Sequence, residues 1–310
     1  MHRAALFAAI LASSSILFFL LSFRAIAQYQ YSQGLSLLRN KQYASALIRL
    51  KKSTAFQGGE ARNWKAVGDA YHALGGEVPF SETYPLAIKA RDAYRIASRL
   101  NPMDAENFFG LAVAEQRLER LYPFFHTGKN PHDPLPYIHR AISLYPKNLL
   151  YHFFLADYYY TRMELDALEK TVFHAALLSP ESYGHVKKQP YWKISTVKAA
   201  FRQGLLQAIQ DKTNAISAHT VMAAILESEK EWKGALSHYE KLPVPDEKRK
   251  AAQYYFHLGR LYENAGEKHS NSEYFANAVR YYQKAVTLDQ WDSAYQRHYE
   301  QLTQKYSVTQ

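Results

Sequence analysis

The chain of 310 residues contains no cysteine. That excludes disulfides, thiol chemistry and a lipid anchor through a lipobox cysteine. Also missing are a glycine-rich phosphate loop, a Gly-x-Ser-x-Gly nucleophile elbow and a His-Glu-x-x-His metal helix. His126, His132, Asp133 and His139 fall within 14 residues, but at no standard ligand spacing. Asp69 and Asp157 are two acids with no further catalytic group beside them. The expectation is a protein without catalytic residues, cofactor or metal. Long apolar runs are absent too, with one exception near the amino terminus.

What is present is a recurring pattern of small and large residues. Trp64, Val67, Gly68 and Tyr71 are followed one helix later by Ala90, Tyr94, Ala97 and Pro102. Small residues on a first helix let a second helix approach, and large ones fill the space between the pair and the next pair. Further copies read as Gly34, Ala46, Leu50 and Ser53; Phe108, Leu111, Ala112, Ile138, Ala141 and Pro146; and Leu155, Ala156, Tyr159, Val172, Ala175 and Pro180. Two more read as Met222, Ala223, Leu226, Ala235 and Tyr239, then Tyr255, Leu258, Gly259, Tyr262, Ala278, Tyr282 and Ala285. The segment from Tyr183 to Ala215 has one repeat length but lacks the first-helix residues, while Thr196 to Gln210 keeps a helical face. Ser293 to Tyr306 reads as a polar helix covering an open end.

This grammar resembles that of the bacterial tetratricopeptide (TPR) repeat family, in which helical hairpins of about 34 residues stack side by side. The resemblance covers Ala27 to Asp292 and implies an all-α, superhelical solenoid of six to seven hairpins. The domain expectation is 1–26 as membrane anchor or signal segment, 27–292 as solenoid with a degenerate slot at 183–215, and 293–310 as capping helix and tail. Glu115 departs from the family pattern where an aromatic is usual, and Pro134 where a small residue is. Together with the apolar amino-terminal segment, the chain is similar to TPR proteins that accompany cell-envelope polysaccharide machinery.

Two copies exceed the usual length, at Ala73 to Leu86 and Leu121 to Tyr137, and the last does so at Gly266 to Phe275. Pro79, Pro85, Pro123, Pro131, Pro134 and Pro136 mark the first two as turns rather than helix. Insertions of this kind map to one face of a solenoid and often bind.

Ala4 to Phe23 is a run of 20 uncharged, mostly apolar residues, long enough to span a bilayer as a single helix. Ala25-Ile26-Ala27 also fits a signal-cleavage pattern, although Arg24 so close to the cut argues for an uncleaved anchor. The expected location is the bacterial cytoplasmic membrane with the repeats on the extracytoplasmic side. The net charge of +10 suits anionic lipid head groups, acidic glycans or an acidic protein. No nucleic-acid motif accompanies it. The clusters Lys187-Lys188 and Lys248-Arg249-Lys250 read as solvated loops.

In the family the first helices line the concave face, and positions 2, 5, 9 and 12 of each repeat point into it. The resemblance therefore implies a groove built from Arg62, Lys65, Asp69 and His72; Glu106, Phe109, Val113 and Gln116; Leu150, Phe153, Asp157 and Tyr160; and Gln253, Phe256, Arg260 and Glu263. Phe109 and Phe153 are candidates for an apolar shelf. The order Lys65, Asp69, Glu106, Gly110 does not match the carboxylate clamp of co-chaperone TPR domains. The expected function is a membrane-tethered scaffold for a protein partner, reached through the groove and the insertions. The alternative is a glycan-binding module for polysaccharide assembly or export.

Overall fold

The computed structural model describes residues 2–307, with the side chains of 18, 19 and 21–305. All secondary structure among them is helical. Two compact units divide the chain, Met1–Tyr151 and His152–Gln310.

In the first unit α1 (His2–Arg39) pairs with α2 (Tyr43–Phe56), α3 (Ala61–Leu74) with α4 (Phe80–Leu100), and α5 (Ala105–Phe125) with α6 (Leu135–Leu144). Each hairpin also packs on the next, α2 on α3 and α4 on α5. In the second unit α8 (Leu165–Leu178) follows α7 (Leu149–Thr161), whose first turn belongs to the first unit. Short turns, including α9 (Tyr183–Val186), then lead to α10 (Ser195–Gln210), which packs on α8. The pairs α11 (Ala215–Ser228) with α12 (Trp232–Tyr239) and α13 (Lys248–His269) with α14 (Ser272–Leu288) complete the unit, and α15 (Ser293–Ser307) lies against α14. In the slot at 183–215 short turns stand where a first helix would be, and α10 supplies the second.

The small positions are small because a large residue occupies the space above them. A Cβ on Gly34 would lie 2.6 Å from Leu50, and one on Gly259 2.8 Å from Tyr282. Tyr94 sits between two glycines, with a Cβ on Gly68 coming within 2.7 Å of its ring and one on Gly110 within 2.5 Å. The packing is therefore that of TPR-like hairpins.

Buried asparagines stitch neighbouring hairpins. Asn63 Nδ2 donates to the Gln57 carbonyl at 3.3 Å, and Asn107 Nδ2 to those of Ala97 and Asn101, both at 3.3 Å. Each is the third residue of its helix and satisfies carbonyls left open at the preceding turn.

The tight turns within hairpins share one geometry. Lys41, Met163 and Lys230 take left-handed φ of 60°, 59° and 61°. The next residue donates back to the sixth carbonyl, as Gln42 to Leu37 at 2.9 Å, Glu164 to Tyr159 at 3.0 Å and Glu231 to Leu226 at 2.8 Å. This is the Schellman arrangement, which favours glycine at the left-handed residue. Met163→Gly should relieve about 1 kcal/mol of strain, offset in part by about 0.5 kcal/mol of added freedom in the unfolded chain. A small rise in the urea midpoint is expected; a fall would show that the Met163 side chain contributes packing that its exposure does not suggest.

One expectation needs correction. The insertions are not mainly turns: Pro85 lies inside α4 and Pro123 inside α5, and the last insertion is divided between α13 and α14. Proline's fixed φ is compatible with a helix, and each ring removes only one backbone bond while aromatic packing holds the extended turns together. The second insertion does leave a true loop at residues 126–134. The expected membrane span, Ala4 to Phe23, falls largely on side chains outside those described. No helix among the described residues is long and apolar enough to cross a membrane.

Candidate functional site

In the first unit most of the expected groove residues are engaged within the chain. Lys65 Nζ lies 3.1 Å from Asp69 Oδ2, and the Tyr94 hydroxyl donates to Asp69 Oδ1 at 2.8 Å. Burial acts to lower the Lys65 pKa, yet Asp69, with Glu106 and Asp104 behind it, raises it above its ordinary value. Arg62 donates to Gln28 Oε1 at 3.0 Å and lies over the Tyr31 ring. Glu106 accepts from the Tyr151 hydroxyl at 2.7 Å, and burial followed by that contact pushes the phenol up. Phe109 packs on the same Tyr151 ring, with centroids 4.9 Å apart. Burial and the Arg117 charge hold the His72 imidazole below its usual pKa, while the His72 and Gly75 carbonyls accept from Arg117. Gln116 is half-buried.

In the second unit Phe153 stacks on His185, with centroids 4.0 Å apart and planes 15° from parallel. Tyr160 meets Tyr191 edge-on at 5.6 Å, and burial and then the Asp157 charge push the Tyr191 phenol up. Phe256 packs at 4.6 Å on Tyr295 of α15 and at 5.3 Å on Tyr282. Phe109 and Phe153 thus each have a ring partner in their own unit. Arg260 and Gln253 are exposed. Gln253 and Phe256 line an open cleft of about 480 Å³ with Tyr239, Tyr254, His257, Tyr295, Pro245 and Lys250. Glu227 lies 3.3 Å from His257, but burial dominates and lowers the histidine's pKa.

An exposed aromatic surface of the first unit lies where the first two insertions meet. The first turn of α4 brings Phe80 to the last turn of α5, with its centroid 5.4 Å from Phe124 and 5.3 Å from Phe125. Tyr84 also stacks on Phe125, at 5.2 Å. Phe80 is 54% exposed and Phe124 71%. Beneath them the 126–134 loop is pinned by His132, whose Nδ1 lies 2.7 Å from Glu115 Oε2 and whose Nε2 lies 3.3 Å from the Tyr84 hydroxyl. Both the Glu115 and His132 side chains are buried, and Arg95 approaches the other Glu115 oxygen at 3.6 Å. Asn130 anchors the loop further by donating to the Glu119 carbonyl at 2.9 Å.

Sequence reasoning singled out the insertions, Glu115 and His132 separately, without joining them. The available signal was a carboxylate at a position that packing reserves for an aromatic. Such a residue needs a buried partner, and the inserted loop supplies it. Among the described residues no three His, Asp or Glu side chains converge as a metal site.

No family model and no curated protein matches the chain. Among solved structures, YrrB, described as a TPR protein with an unusual peptide-binding site, is similar over 88% of this chain and 90% of its own, at 14% identity and a TM-score of 0.29. The human IFIT1 dimer with m7Gppp-AAAA is similar over 85% of this chain, at 17% identity and a TM-score of 0.36. This chain covers 59% of IFIT1's length. At those scores neither likeness carries an argument about ligand or curvature. The TPR-like character stands on the chain's own motifs and on the glycine-to-aromatic packing of its hairpins.

Proposed function

We propose that this chain is a non-catalytic scaffold that holds a protein partner, tethered through Ala4–Phe23 to the bacterial cytoplasmic membrane with the repeats outside. The observation that carries the reading is the pair Phe80 and Phe124, left open to solvent around half-buried Phe125 and held from beneath by buried Glu115 and His132. Rings already fixed in place lose little entropy on docking, and contiguous exposed aromatics mark interaction sites. By contrast, Asp69, Glu106, Phe109 and Phe153 are engaged within the chain. The groove then contributes shape and polar rim, and the insertions contribute the anchor. The tether and its orientation rest on the sequence pattern of residues 1–26.

A second reading, an acidic glycan, is favoured by one feature: the cleft that combines Tyr239, Tyr254, Phe256 and Tyr295 with Lys250. Aromatic faces suit sugar rings and the ammonium suits an acidic polymer. The double substitution Phe80→Ser and Phe124→Ser separates the two. Phe124 is largely exposed and its loss should cost no more than about 0.5 kcal/mol, while Phe80 also gives up its stack on Phe125, about 0.5–1.5 kcal/mol. Loss of two aromatic anchors should weaken a protein partner at least about thirtyfold in pull-downs of the full chain. Undiminished partner recovery would contradict the patch. Salt-sensitive retention of an acidic polysaccharide, lost on Lys250→Glu instead, would favour the glycan.

A further inference from the structure

The first hairpin differs from the rest of the chain in charge. Before Glu60 the sequence holds Arg3, Arg24, Arg39, Lys41, Arg49, Lys51 and Lys52, and no aspartate or glutamate. Arg24, Arg49 and Lys52 are exposed, as are the apolar side chains of Phe18, Phe19, Ile26 and Phe56. An apolar surface ringed by one sign of charge is unusual for the outside of a solvated repeat.

Geometry places these groups within about 10 Å of one another along α1. α1 is a single helix from His2 to Arg39, so no linker separates the apolar stretch from the first repeat. α2 runs back along it and ends at Phe56, whose ring lies 5.7 Å from Phe23, the last residue of that stretch. Arg49 donates to Gln30 Oε1 at 3.3 Å, which fixes the guanidinium beside α1 about 10 Å beyond Phe23 at 1.5 Å per residue. Lys52 lies between Arg49 and Phe56 along α2, and Arg24 directly follows Phe23. Lys51 is directed elsewhere, over the Tyr71 ring of α3.

We infer that the edge of the first hairpin formed by Phe23, Phe56, Arg24, Arg49 and Lys52 docks on the anionic head-group layer of a lipid bilayer. This rests on the tethering reading: if Ala4–Phe23 spans the membrane, the end of α2 lies at head-group depth. Apolar rings such as Phe23 and Phe56 bury at the boundary between acyl chains and head groups. Each basic side chain there gains about 1 kcal/mol against anionic lipid, and no acidic group on the hairpin opposes it. The hairpin would be seated on the surface rather than swinging from its anchor. The Phe80–Phe124 patch belongs to the opposite edge: within this unit the first helices run parallel, so the ends of α1 and α5 that carry the within-hairpin turns lie away from Phe23. The docked edge therefore leaves that patch open.

The absence of cysteine allows a clean test. Full-length chain with Ala55→Cys, labelled with a fluorophore, is offered nanodiscs of phosphatidylcholine alone or with about a third phosphatidylglycerol, both carrying a head-group nitroxide quencher. The expected result is incorporation into both, strong quenching at residue 55, and a preference of about tenfold or more for the anionic discs in competition. Arg49→Glu with Lys52→Glu should abolish the preference without preventing incorporation, and Arg49→Gln with Lys52→Gln should reduce it. Incorporation without quenching, or an anionic preference unchanged in the charge-reversed variant, would overturn the docking surface while leaving the tether intact. A chain that enters neither disc would overturn the tether and the surface with it.

Discussion

Tyr94→Ala is expected to lower the stability of the first unit by about 3–5 kcal/mol, the range for deleting a buried aromatic ring. Tyr94 is almost wholly buried, it fills the space above Gly68 and Gly110 at once, and its hydroxyl satisfies Asp69. Removing the ring empties the contact between α3, α4 and α5 together. The complementary change should also destabilise, though by less. In Gly110→Leu the new Cβ would sit 2.5 Å from the ring, and the ring cannot retreat because Gly68 provides only enough room for the native position. Overpacking of this kind costs about 1–3 kcal/mol, offset in part by a helix-propensity gain of up to about 1 kcal/mol over glycine. Tyr94→Phe isolates the hydroxyl and should cost about 1.5–3 kcal/mol, because the bond it removes goes to a carboxylate. Urea unfolding followed by circular dichroism reads all three. A loss under about 1 kcal/mol for Tyr94→Ala would mean that the hairpins do not pack through this ring.

Much of this packing was legible in the sequence because its cause is periodic. A glycine facing a tyrosine one helix later recurs at Gly68 with Tyr94 and at Gly259 with Tyr282, and the structure brings both pairs into contact. The α10 helix was legible from the single apolar face of Val197, Ala200, Phe201, Gly204, Leu205 and Ala208, all but half-buried Ala200 being buried. What was not legible depends on contacts between non-periodic segments. Pro85 and Pro123 look like helix breakers when read alone, and only the stacking of Phe80 and Tyr84 on Phe125 shows why the helices continue around them. The groove positions could be located by counting, but not their internal partners. Phe153 meeting His185 depends on the irregular turns after α8, which have no repeat pattern to read.

The second large effect concerns the pin beneath the aromatic patch. His132→Ala leaves the buried Glu115 carboxylate with only Arg95 at 3.6 Å, and should cost about 3–5 kcal/mol. Glu115→Ala takes away the partner of His132 Nδ1 and leaves the ring with Tyr84 alone. Replacing both with leucine removes the unsatisfied groups, so the double variant should recover most of the loss. Hydrogen exchange should rise first at residues 126–134 in either single variant, since the loop is held chiefly through His132 and Asn130. Equal destabilisation in the single and double variants would show that the contact is incidental to the loop. If the patch must be rigid to bind, both single variants should also weaken the partner, and the leucine pair should restore it.

The most direct test of the scaffold reading is site-specific photo-crosslinking in intact cells from position 124, with Lys170, exposed on α8, as the control. The account predicts one discrete protein adduct from Phe124 that is absent from Lys170 and lost when Phe80 is changed to serine. The same adducts from both positions, or none from Phe124, would contradict it.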